Sequence, residues 1–319
     1  MTTIATRLPD LKSLSCFVAV AEELHFGRAA QRLHLSQPPL SQQIIKLERL
    51  LGCQLLLRDR RSVTLTPAGL ELLSHARQLL QGLGTAVQAT RRVASGEAGE
   101  LRLGYSGSAL YSSQALDALA AYKSRYPAVD VQLREGVTRA HVDSVLAGRL
   151  DLAFVRGTLP IQASGLQRLL ISQEPLLLAL PVGHALAARR SVRVAELAGQ
   201  PFVAFDRQRG TALNELLNQL FHSAGVEAQV VMQSSEMGAL LGLVAAGVGL
   251  AIVPQTVAGQ AHGHLRFVPL REAAARIELH LIAAAQPSAV AAHFIDLCTA
   301  VLGTGGRRPE RSSGRTPHQ

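Results

Sequence analysis

At 319 residues the chain exceeds one ordinary folding unit and predicts two or three, and its 48% apolar content supplies a core for each. Three cysteines (Cys16, Cys53 and Cys298), odd in number and far apart, argue against a disulfide framework and for a reducing compartment. The net charge of +9 divides into +6 over residues 1–95, zero over 96–303 and +3 over 304–319, so a basic, polyanion-binding module precedes a neutral one with a different ligand.

The first residues, MTTIATRLPDLK, lack an apolar signal core, and secretion is not expected. Leu11, Leu14, Phe17, Val18 and Ala21 recur at helical spacing and predict a first helix. A second, short helix follows Gly27, with Ala29, Ala30 and Leu33 inward. LHLS makes a tight turn, and Ser36 is placed to cap a third helix with Pro38 and Pro39 in its first turn, where a missing N–H is harmless. Two short helices across such a turn form a helix-turn-helix unit. Along the third helix Leu40, Ile44, Leu47 and Leu51 bury one side, which leaves Gln37, Pro38, Ser41 and Gln42 on the other, near its N-terminus. Small amide and hydroxyl groups there reach base edges in a major groove without desolvating a charge, and free N–H groups favour phosphate. A capped surface helix with ordinary polar residues is the alternative.

LLLRDRRSVTLTPAG then sets Arg58, Arg60 and Arg61 in a hairpin-like turn, a wing suited to phosphate or minor-groove contact, although such a charge run also suits a solvated loop. Thr66 caps a further helix with Pro67 at its first position. Leu73, Ala76, Leu80, Leu83, Val87 and Thr90 alternate steps of three and four along it, a seam for a second copy of the helix or for packing within the subunit.

Residues 100–302 alternate strand-like and helix-like runs: ELRLGY, a helix at 112–126, VDVQLRE, a helix at 138–148, LDLAFV. The alternation implies a parallel sheet with crossover helices, a second such block at about 175–265, and a return to the first at RIELHLIAAA. Two α/β lobes joined by a double crossover resemble the type 2 periplasmic-binding-protein fold, with a ligand cleft between them. Ser108 follows the first strand and Thr138 opens the helix after the second, so hydroxyls beside free N–H groups suit a carboxylate; plain helix caps are the alternative. Arg156, after the third strand, is placed to pair with a second anionic group. FDRQRGT at 205–211 closes over the ligand, and Phe205 is either part of that lid or a core aromatic. Met237 to Pro254, uncharged and apolar, approaches the length of a membrane span, but its glycines fit a helix closing at Gly247 followed by a buried strand.

No catalytic residue, cofactor or metal is expected. GYSGS carries Ser108 where a nucleophile elbow needs glycine, no Walker, HExxH or CxxC motif occurs, and HGH at 262–264 suits a turn better than a metal. Thiol sensing by a cysteine pair is not expected, since Cys298 stands alone in the second module. GTGGRRPERSSGRTPHQ, at 303–319, predicts a disordered basic tail that adds nonspecific DNA affinity.

FVAVAEELHFGRAAQRLHLSQPPLSQQIIKLERLLGCQLLLRDRRSVTLTPAG resembles the winged helix-turn-helix of the LysR-type transcriptional regulators, and LRLGYSGSAL, GRLDLAF and GLVAAGVGLAIVP resemble that family's regulatory domain. HFGRAAQRLHLSQPPLSQQI and GYSGS are similar to the branch that senses benzoate, muconate or chlorinated muconates in aromatic catabolism. The resemblance covers about residues 8–302. It implies an α/β chain with an all-α-type winged helix-turn-helix at 8–66, a dimerisation helix at 67–95 and an effector-binding domain at 96–303. The first lobe would take about 100–173 and 266–302, the second about 174–265, and the tail 304–319. It sets Ser36, Gln37, Pro38, Ser41, Gln42, Arg58, Arg60 and Arg61 on DNA, and Ser108, Thr138, Arg156 and Phe205 on the effector. Gln42 stands where many relatives have Arg, which puts one contact in doubt, and Leu57 replaces a common Phe. The partners implied are promoter DNA, a small anionic effector, RNA polymerase and copies of the chain itself, as a cytoplasmic dimer that is tetrameric on DNA, an activator controlling a neighbouring, divergently transcribed operon and its own gene. No membrane partner is expected. From a different class, the alternative is a ligand-binding or enzymatic α/β protein whose basic N-terminus only pairs subunits.

Overall fold

The computed structural model describes residues 8–59, 62–159, 163, 165–206, 212–259 and 263–303. The chain divides into two compact units, Met1–Arg91 and Arg92–Gln319.

In the first unit, α1 (Leu11–Glu23) starts at Asp10, whose carboxylate accepts the Ser13 N–H, and ends at Leu24 in the left-handed region. α2 (Phe26–Arg32) begins one residue before Gly27, because Phe26 is buried with Ala29 and Ala30 on the inward face and His25 serves as the cap. α3 (Gln37–Leu51) packs against both. Phe17, Val20, Leu40, Ile44 and Leu47 are wholly enclosed, each burial stabilising the unit by about 1.5–3 kcal/mol. Two expectations for α3 need correction. Ser36 occupies the cap position without a side-chain bond, and Leu51, the last helical residue before Gly52, lies beyond the core edge at 39% exposure.

β1 (Leu56–Arg58) and β2 (Val63–Leu65) form the antiparallel wing. α4 (Pro67–Ala94) follows, with Thr66 Oγ accepting the Gly69 N–H and donating to the Gln54 carbonyl. A Cβ on Gly69 would lie 2.1 Å from the Leu55 carbonyl oxygen, so only glycine lets the helix cross the base of the wing here. The seam expected along α4 is divided. Leu73 and Ala76 are buried in the unit's own core, Leu80 is half-buried, and Leu83 and Val87 are exposed.

In the second unit, β3 (Gly99–Ser106), β4 (Val129–Gly136) and β5 (Leu152–Arg156) run parallel, joined by α5 (Ser113–Arg125) and α6 (Thr138–Leu146). β6 (Leu166–Pro181) is a single strand of 16 residues. Its first half pairs with β11 (Arg276–Ala284), which also pairs with β5. Its second half pairs with β9 (Ala251–Pro254) and β10 (Leu265–Pro269). β7 (Pro201–Phe205) and β8 (Gln229–Ser234) are parallel and join β9 through a bridge from Phe202 to Leu250. The sheet is therefore mixed, not parallel throughout: β6, β9, β10 and β11 pair antiparallel because β6 passes from one lobe into the other. β10 belongs with the second lobe's strands, so the chain re-enters the first lobe at β11, later than position 266.

Each lobe has its own core, around Phe154, Tyr122 and Phe294 in the first and Leu176, Leu178 and Phe202 in the second. α7 (Ala212–Ser223), α8 (Met237–Ala245) and α9 (Gln255–Ala258) lie in the second lobe, and α10 (Ala289–Gly303) packs on α5. The apolar stretch at 237–254 divides as expected into α8, a turn at Gly247 with φ +77° and buried β9. Among the described residues no helix is long and apolar enough to cross a membrane.

Candidate functional site

The N-terminal turn of α3 presents Ser36, Gln37, Pro38 and Gln42 to solvent, with Ser41 half-buried beside them. Its other face is held by the core and by two bonds to α1 and its cap, Ser13 Oγ to Gln43 Oε1 at 2.9 Å and Lys46 Nζ to Asp10 at 2.8 Å. The uncharged face is thus presented by a rigid support.

Arg58, at the end of β1, stands otherwise than an open phosphate contact would. Its guanidinium lies 4.8 Å from the Phe26 ring centroid and 3.2 Å from the Glu48 carboxylate. That carboxylate also accepts the N–H groups of Leu55 and Leu56. Arg58 therefore fastens the wing to α2 and α3, and its charge is shared with Glu48. Arg60 and Arg61 lie outside the described residues.

A second ionic cluster went unread in the sequence. Glu22 on α1 takes Arg32 of α2 at 2.7 Å and Arg77 of α4 at 2.8 Å, and these two partners pull its pKa below the usual carboxylate range. The three residues stand ten and 45 positions apart, a separation with no local pattern to reveal it.

In the second unit a cavity of about 340 Å³ opens between the lobes. The first lobe supplies Ser106 at the end of β3 with Gly107 and Ser108 after it, Glu135 to Thr138 across the junction of β4 and α6, and Arg156 at the end of β5. The second supplies Phe205 at the end of β7, Ala212 and Leu213 at the start of α7, and Ser235 to Met237 at the start of α8. Carboxyl ends of parallel strands and amino ends of helices thus converge, the usual place for a ligand in α/β folds. The four expected positions, Ser108, Thr138, Arg156 and Phe205, all lie on this wall. Of the expected lid at 205–211, residues 207–211 lie outside the described residues.

Three of these residues have positions or partners that the sequence did not show, and the plain-cap alternative for Ser108 and Thr138 falls away. Ser108 sits within a 3-10 turn, Gly107–Tyr111, and Thr138 is the first residue of α6 behind the cap position of Val137; neither side chain caps a helix. Thr138 Oγ donates to the Arg156 carbonyl at 3.0 Å, which ties the start of α6 to the end of β5. Arg156 is already neutralised. Its Nη1 donates to Glu174 of β6, and its Nη2 to the Ser108 carbonyl at 3.1 Å and to Thr256 Oγ at 3.3 Å. Glu174 in turn accepts the Thr256 N–H at 2.6 Å. Burial pulls the Arg156 pKa below its ordinary value while Glu174 opposes that. With a carboxylate already in place, the guanidinium is a poor seat for a second anionic group; only its Nε, buried, is without a partner in the structure.

The sequence reading also passed over Ser106, Glu135, Ser235, Glu236 and Met237 on the wall, and His141 behind it. The Ser106 hydroxyl is buried with no hydrogen-bond partner, and GYSGS was the signal that could have included it. The His141 ring fits between Gly104 and Gly136, where added Cβ atoms would come within 2.7 and 2.9 Å of it. Its Nε2 lies 2.9 Å from the Tyr105 carbonyl, and burial lowers its pKa. Elsewhere, burial pushes the Cys298 thiol up to about 12, so it stays protonated and unreactive. His262 lies outside the described residues, and among those described no three His, Cys, Asp or Glu side chains form a metal-holding group.

Comparison with known proteins agrees with both units. The family model for the LysR substrate binding domain matches residues 94–303, and that for the bacterial regulatory helix-turn-helix protein, lysR family, matches residues 11–70. The chain is 41% identical over 274 residues to YnfL of Escherichia coli (strain K12), an uncharacterized HTH-type transcriptional regulator, covering 86% of this chain and 91% of that one. The crystal structure of CbnR, a LysR family transcriptional regulator, aligns with a TM-score of 0.79 at 30% identity, over 91% of this chain and 99% of that one. Full-length CbnR complexed with its target DNA aligns at 0.77 and 29% identity, over 92% and 99%.

Proposed function

This chain belongs to the LysR family of DNA-binding transcriptional regulators, and from that premise we propose that it reads its operator through the N-terminal turn of α3 and is switched by a small carboxylate-bearing effector held between the lobes. It is a regulator with an effector-binding domain, not an enzyme. Gln37, Pro38, Ser41 and Gln42, with Ser36 before them, face the bases, and the wing carrying Arg58, Arg60 and Arg61 follows the backbone. Ser108, Thr138, Arg156 and Phe205 face the effector. Occupancy changes the angle between the lobes, and so the spacing and bend of the bound promoter. The working assembly is a dimer paired along α4 and a tetramer on DNA, acting on RNA polymerase in the cytoplasm. The target would be an aromatic-acid catabolic operon on motif similarity alone.

The observation that carries the effector reading is the convergence of four positions, 18 residues apart at the least between Thr138 and Arg156 and nearly 100 at the most between Ser108 and Phe205, on one cavity. A mobility-shift series tests both halves. Ser41→Ala or Gln37→Ala is expected to reduce discrimination between operator and scrambled DNA about tenfold, one lost base contact contributing about 1–3 kcal/mol. Ser108→Ala with Thr138→Val is expected to abolish the ligand response at unchanged DNA affinity. Retained discrimination, or induction at the parental ligand dose, rejects the corresponding half.

A further inference from the structure

The cavity wall has a charge balance that points to a narrower class of effector than a carboxylate in general. Among the described residues its one cation is Arg156, and that cation is matched by Glu174 directly behind it. Two further carboxylates, Glu135 of the first lobe and Glu236 of the second, line the same cavity, both exposed, and neither forms a salt bridge among the described residues. Among the described residues the wall therefore carries an excess of negative charge. The remaining polar positions are neutral hydroxyls and N–H groups: Ser106 Oγ without a partner, Ser108, Ser235 and the amino ends of α6 and α8.

These features divide the cavity by what each part accepts. Hydroxyls and helix N–H groups suit one carboxylate, which they can bind without a formal countercharge. Among the described residues a second carboxylate finds no free cation and meets Glu135 or Glu236, a like-charge contact. Neutral donors would satisfy the oxygens of those two carboxylates but not their charge, whereas a cationic group does both. Glu135 and Glu236 belong to opposite lobes, so a cation held by both would bridge the cleft.

We propose that the effector is a zwitterion, its single carboxylate on the serine and helix-end wall and an ammonium or similar cation between Glu135 and Glu236. This rests on the cleft being the effector site, and it departs from the dicarboxylate that a second anion on Arg156 would have required.

Calorimetric titration of the full chain with matched four-carbon probes tests it: 2-aminobutyrate, 4-aminobutyrate, 2-hydroxybutyrate, butyrate and succinate. At least one aminobutyrate is expected to bind ten or more times as tightly as succinate and several times as tightly as butyrate. In the Glu135→Gln, Glu236→Gln double variant, whose two sites are solvent-exposed and should leave the melting temperature unchanged, that preference is expected to fall at least fivefold. Succinate binding as well as both aminobutyrates, an unchanged preference in the double variant, or no binding by any probe overturns the proposal. Ser108→Ala with Thr138→Val separates this from the cleft reading. If an aminobutyrate still binds there with parental affinity, the cleft itself is at fault; if binding is lost but the charge preference was absent, only the zwitterion is.

Discussion

Arg156 and Glu174 are 5% and 7% exposed, and each is tolerable at that depth because the other is charged. Removing one partner of a buried pair leaves an uncompensated ion and typically costs about 3–5 kcal/mol. Glu174→Ala is therefore expected to lower the urea midpoint sharply, while Arg156→Met combined with Glu174→Leu stays much nearer the parent. Equal midpoints for Glu174→Ala and the parent would show that the pair holds nothing together. The sequence marks Arg156 well, since an arginine ending a strand faces the carboxyl edge where ligands bind. It gives no sign of Glu174, 18 residues later, or of Thr256, 100 residues later, because the partner of a buried charge depends on which strands become neighbours. An arginine expected to face ligand is thus found tied to its own protein. The same holds for Arg58, whose position in the wing was readable and whose stacking on Phe26 and pairing with Glu48 were not.

At the scale of elements, helix phase was the reliable guide. The 3.6-residue period assigns Leu40, Ile44 and Leu47 to the core and leaves Gln37, Pro38 and Gln42 outside, as the structure has them. Along α4 the same period could not say which part of one apolar stripe packs at home. Leu73 and Ala76 are used within the unit, whereas Leu79, Leu83 and Val87 remain exposed at 60%, 42% and 41%. A helix of 28 residues is about 42 Å long and outruns the domain at its base. Leu83→Lys with Val87→Lys is expected to weaken self-association at least tenfold, measured by sedimentation, with helical content by circular dichroism unchanged. An unaltered sedimentation profile would remove α4 as the pairing helix.

For the molecule as a whole, acid should be a selective stress. His141 and His280 are both buried, and burial lowers the pKa of each from the ordinary value near 6.5. The unfolded chain takes up these protons near that pH and the folded chain only at lower pH. Below about pH 6.5 the unfolded state therefore binds more protons, and stability falls as the pH is lowered. The melting temperature is expected to decline between about pH 7 and pH 5, and His280→Leu should flatten part of that decline, as it removes one group that must charge. A level profile over this range would show that neither imidazole is kept neutral by the fold.

What the sequence determined alone was whatever repeats over short distances: helix faces, strand ends, the basic first third, the two-unit division and the motifs that resemble one family. These follow from local periodicity and from charge, which need no knowledge of the partner. Tertiary structure alone decided how the second unit's strands pair. β6 runs through both lobes and brings β11 and β10 antiparallel beside it, where alternation of strands and helices had implied parallel neighbours. It also decided which charges are free, since pairing depends on contacts between residues far apart in the chain. The cleft's residues were therefore legible one by one, and their shared electrostatic character only once they stood around the same cavity.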